Sequence, residues 1–101
     1  MPEDRVLCQT PNKPTAGTRI PRWKFDAVRT AILTVLAEGE MTFLDLTSAC
    51  KIRMADADLA KLGSLGWHVT TVKLELECRG EIARVPGSKP QLLTLVEAGK
   101  Q

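Results

Sequence analysis

His68 is the only histidine in the 101-residue sequence, and Cys78 is the nearest thiol on the same stretch. A thiol beside an imidazole is a familiar nucleophile–base arrangement. Ten residues of helix, however, would set the two about 80° apart around the axis and about 15 Å along it, too far to share a proton. Asp56 and Asp58 form an Asp-x-Asp pair of the kind that binds cations, but the Gly and closing Glu of a calcium loop are missing. Cys8, Cys50 and Cys78 are odd in number and far apart, with no Cys-x-x-Cys pair. A structural zinc site is therefore excluded, and free thiols in a reducing compartment fit best. Gly63 and Gly66 lack the strand-and-helix context of a phosphate-cradling loop. The sequence predicts neither an enzyme nor a cofactor.

What remains is recognition chemistry, and it falls into two sets. Arg19, Arg22, Arg84 and Lys89 could grip phosphates, while His68, Thr70 and Thr71 could face base edges in a major groove. Trp67, Leu74 and Cys78, with Val6 and Leu7, could instead form an apolar contact with a second copy or a protein partner. The magnitudes favour covering the apolar set. Leaving Trp67 and Leu74 in water forgoes roughly 3–6 kcal/mol of burial, against about 1–3 for one base contact. Glu75 and Glu77 would also present the wrong sign to phosphates. The expected cover is the chain's own N-terminal segment or another copy.

These residues are positioned by the stretch from Gly66 to Gly80, which reads as one amphipathic helix. Val69, Val72 and Leu76 lie within an arc of about 60°, the stripe for the core. Trp67, Thr70, Thr71, Leu74 and Cys78 share a second arc. Gly80 supplies the left-handed stop, and Arg79 faces the negative end of the helix dipole. Beyond it, the β-prone runs 82–85 and 92–96 flank the turn signal Pro86-Gly87, predicting a hairpin with Arg84 and Lys89 near its tip.

Upstream, Phe25, Val28, Ile32, Val35 and Leu36 mark a helix from Trp23 to about Ala37, with Trp23 stapling the incoming chain. Thr42, followed three residues later by Asp45, resembles a capping box opening a second helix to about Arg53. Phe43, Leu46, Ala49 and Cys50, with Ile52, form its inward side, Cys50 as a small buried hydrophobe. Residues 54–65 read as a long link. Pro2, Pro11, Pro14 and Pro21 forbid a regular helix before Trp23 and favour extended backbone. Residues 1–24 carry five cations against two carboxylates, enough to account for the whole formal charge of +2. The expected layout is an extended basic arm (1–22), one domain (23–96) and a flexible polar tail (97–101).

The helix–glycine–hairpin run from Trp67 to Val96 resembles the reading helix and wing of winged helix-turn-helix domains. More narrowly, the chain is similar to a small bacterial family of uncharacterised proteins in which the Pro-Asn-Lys-Pro of residues 11–14 and the Thr-Thr-Val-Lys-Leu of 70–74 recur. The resemblance implies an α+β, mostly α fold: three helices of winged helix-turn-helix type, a C-terminal hairpin wing and an extended N-terminal arm. The broader likeness implies DNA binding by analogy.

Composition sets the outer bounds. A 44% hydrophobic content suits one small core, and four aromatic rings are too few for a single-strand stacking platform. No apolar run approaches the ~18 residues of a membrane span, and the start does not resemble a signal peptide. The expectation is a cytoplasmic, DNA-binding, transcriptional regulator-like domain that acts as a dimer on double-stranded DNA, with no membrane. The alternative is a protein-interaction or dimerisation domain that does not bind DNA.

Overall fold

Pro21 marks where strand gives way to helix: its φ of −55° and ψ of 140° place it just outside the first helical residue, Arg22. The computed structural model describes residues 4–10 and 13–96. Pro11 and Asn12 of the recurring motif, and the expected tail 97–101, lie outside the described residues. The elements run β1 (Arg5–Thr10), β2 (Lys13–Pro21), α1 (Arg22–Leu36), β3 (Met41–Thr42), α2 (Phe43–Arg53), α3 (Asp56–Leu62), α4 (Leu65–Arg79), β4 (Ile82–Arg84) and β5 (Leu92–Leu95). The fold is α+β and mostly helical, with two small sheets.

The proline-rich N-terminal segment is extended, as its composition predicts, and it is paired. β1 and β2 form an antiparallel hairpin with Val6 opposite Ile20 and Cys8 opposite Thr18. Val6, Cys8 and Ile20 are buried, while Leu7 is exposed, the alternation of a strand with one wet face. At Gly17 a Cβ would lie 2.8 Å from Leu7 Cδ1 and 2.9 Å from the Cys8 carbonyl oxygen, so this close approach needs glycine.

α1 buries the predicted face, Phe25, Val28, Ile32, Val35 and Leu36, together with Ala31. Trp23 does not staple the arm; it is exposed, with the Lys24 ammonium 5.8 Å from its ring centroid. Thr42 caps α2 by accepting from the Asp45 amide at 3.2 Å. Leu46 and Cys50 are fully buried, but Phe43 and Ile52, expected inward, are exposed.

Two expectations are corrected. The described residues contain a fourth helix, because residues 56–62 of the supposed link are helical. Asp56 and Asp58 occupy its first turn, where they suit the dipole, and Leu62 seats it in the core. Gly63, at φ 88°, ends it. The C-terminal hairpin also gains a third strand. β3 pairs with β5 (Met41 opposite Leu93), and β5 with β4 (Leu95 opposite Ile82), giving the antiparallel order β3-β5-β4.

α4 begins one residue before the predicted Gly66 and stops, as predicted, at Gly80. Ser64 caps it by accepting from the Trp67 amide at 3.2 Å, and Gly80 ends it in the left-handed region at φ 75°. Val69, Val72 and Leu76 are fully buried in a core shared with α1, Leu46, Ile82 and Leu93.

Candidate functional site

The chemistry-bearing side chains of α4 divide between two flanks, each organised by a glutamate. On the hairpin flank Glu75 is 6% exposed. Its Oε1 accepts from the Gln9 amide at 2.8 Å and its Oε2 from Arg79 Nε at 2.6 Å. The Arg79 guanidinium lies 4.8 Å from the Phe25 ring centroid, so one carboxylate ties β1, α4 and α1 together. On the opposite flank Glu77 Oε1 accepts from Arg84 Nε at 2.9 Å. The Lys73 ammonium sits 2.8 Å from Glu77 Oε2 but not in hydrogen-bonding alignment, which leaves an ion pair without a directed bond. Lys73 also lies 5.9 Å from the Phe43 ring centroid.

The residues expected to read DNA differ in burial and in their partners. His68, expected near bases, is 7% exposed. Its Nδ1 lies 2.7 Å from the Ser64 carbonyl oxygen, and its ring meets Trp67 edge-on at 4.8 Å. Its position on α4 is the helical face of Glu75, seven residues on, which is also buried. Thr70 is exposed and donates to the Gly66 carbonyl at 2.8 Å. Thr71 is half-buried. Arg84 is held by Glu77, and Arg22 by Asp4 at 2.6 Å. Arg19 on β2 and Lys89 in the β4–β5 turn are exposed.

The apolar set also splits. Val6 belongs to the core of its own chain and is not available to a partner; Leu7 and Cys78 are exposed. Trp67 remains 47% exposed. Leu74 and Thr71 line a groove of about 210 Å³ against Cys8, Thr10, Gly17 and Thr18. Burial pushes the Cys8 and Cys50 thiols up to about 11. The Cys78 thiol is raised by partial burial and then by Glu75 and Glu77.

Sequence reasoning missed two features. Glu75 and Glu77 were expected only as charges that repel phosphate, although Glu75–Arg79 and Lys73–Glu77 are both i,i+4 pairs visible in the sequence. A cleft of about 520 Å³ also opens between α1 and the α2–α3 corner, lined by Asp26, Thr30, Thr34, Arg53, Met54 and Asp58. Arg53 there is paired with Glu38. Among the described residues no three His, Cys, Asp or Glu converge as metal ligands, and no helix is long and apolar enough to cross a membrane.

Residues 5–93 match the model of DUF6958, a family of unknown function. The chain belongs to this family. No curated protein and no solved structure matches the chain significantly. The span matched by DUF6958 runs from Arg5, the first residue of β1, into β5, so it takes in the hairpin, the Glu75 join and both flanks of α4.

Proposed function

We propose that this DUF6958 member is a winged-helix domain whose exposed surface makes protein contacts and does not read duplex DNA. The winged-helix part is supported by the order helix, strand, three helices, two strands, with β3 joining the C-terminal hairpin in the sheet order β3-β5-β4. α4 then takes the place of a reading helix and β4–β5 that of a wing.

The observation that carries the protein-contact reading is Glu77. It sits on α4 between Lys73 and Arg84 and engages both, so the cations beside the helix are already paired within the chain, two cations to one carboxylate. Phe43 lies beside Lys73, and its exposed ring, with exposed Leu44 next on α2 and Trp67 elsewhere on α4, suits a protein surface better than a phosphate backbone. Duplex binding is the second reading, favoured by the exposure of Arg19, Thr70 and Lys89.

A titration of a mixed-sequence duplex of about 30 base pairs at low and moderate salt separates the two. The protein-contact reading expects little binding at low salt and no steep salt slope. Affinity that falls about tenfold or more between 50 and 200 mM salt, and weakens further in Arg19→Ala/Lys89→Ala, would overturn it.

A further inference from the structure

The most exposed large apolar side chains among the described residues lie on one helix. Leu44 is 75% and Ile52 82% exposed, both on α2, and Ser48 between them is exposed too. The spacing i, i+4, i+8 gives a drift of about 40° per step, so the three form a single stripe about 12 Å long. The other side of α2 is anchored by the fully buried Leu46 and Cys50, which fixes the stripe toward solvent.

Two bulky ends about a small centre fit a copy of the same helix turned end for end. About a two-fold axis through Ser48, Leu44 stands level with Ile52 of the partner subunit, and the two serines face each other. An antiparallel pair also opposes the helix dipoles and sets the end bearing Asp45 beside the end bearing Lys51. A parallel pair would abut like ends and level Leu44 with its own equivalent, leaving no such match.

We infer that α2 is the contact surface of a homodimer, two copies packed antiparallel along Leu44, Ser48 and Ile52. This names a second copy as one partner within the protein-contact reading, and it rests on that reading in requiring α2 to be free of a duplex. An eleven-residue helix is only about 16 Å long. The contact falls below the ~1,200–2,000 Å² of a standard interface, so the dimer is a weak one that forms with concentration.

Sedimentation of the full chain from about 10 μM to about 1 mM tests the inference at concentrations suited to a weak interface. The average mass rises from 11.1 kDa toward twice that value. Leu44→Asp and Ile52→Asp each weaken association at least tenfold while keeping the wild-type circular dichroism. In a Cys78→Ser background, Ser48→Cys gives a disulfide-linked dimer under mild oxidation and Thr70→Cys does not. A single monomer mass throughout the range, or an association that ignores Leu44→Asp but is lost in Trp67→Ala, overturns the α2 dimer. Salt-dependent duplex binding strikes at the protein-contact reading, whereas a monomer indifferent to DNA strikes at the α2 dimer alone.

Discussion

Replacing Glu75 by alanine isolates the join between the N-terminal hairpin and α4. The carboxylate accepts two charge-assisted hydrogen bonds, from the Gln9 amide at 2.8 Å and from Arg79 at 2.6 Å. Hydrogen bonds to charged groups contribute about 1.5–3 kcal/mol each. The Arg79 bond counts for less, because that side chain is 41% exposed and water competes for it. The Gln9 amide, in contrast, loses a part-buried acceptor outright. Glu75→Ala should therefore cost about 2–3 kcal/mol. For a domain near this size, that lowers Tm by roughly 10–20 °C. Glu75→Gln keeps an acceptor for Gln9 and should cost about 1 kcal/mol. Thermal and urea unfolding followed by far-UV circular dichroism gives both values. A Glu75→Ala protein within about 0.5 kcal/mol of wild type, a typical surface effect, would refute the anchoring role. Equal damage from Gln and Ala would show that the charge, not the acceptor, matters.

The thiols give a second test. Burial lifts Cys8 and Cys50 from 9.0 to about 11 in the folded chain. Unfolded thiols ionise first, so their contribution to stability is complete below about pH 9 and is lost as pH rises through 11. The urea midpoint should fall across that window, and a flat midpoint would contradict the burial. At pH 8 a thiol reagent should titrate the exposed Cys78 promptly in the folded chain, and all three cysteines in urea. At Gly17 the backbone carbonyl of Cys8 cannot yield as a flexible side chain would. Gly17→Ala should therefore destabilise by about 1–3 kcal/mol, the usual range for overpacking, and an unchanged unfolding midpoint would show that the strand shifts freely.

The periodic elements were legible because local pattern and burial agree in them. The apolar faces of α1 and α4, the Thr42 cap, the Gly80 stop and the Pro86–Gly87 turn all follow from side-chain spacing and backbone freedom. α3 was hidden because its two aspartates read equally well as loop acids and as first-turn acids; only the burial of Leu62 decides between them. β3 is two residues long, too short for any periodicity, and exists through its pairing with β5. The site was harder to read than the fold. His68 and Glu75 share one face of α4, yet which neighbour covers that face is a long-range fact: the Gln9 amide that fixes it lies 66 residues away. Ile52 illustrates the converse. Its apolar character suggested a buried position, but Leu46 and Cys50 already fill the inward side of α2.

The central proposal is that the chain's own carboxylates occupy the cations beside α4, leaving a surface for protein. The most direct measurement is the amide spectrum of the ¹⁵N-labelled 101-residue chain at low salt, with and without an excess of mixed-sequence duplex. The proposal predicts that the amides of residues 66–71 and 84–91 stay in place. Concerted shifts of both segments that disappear as salt is raised would contradict it.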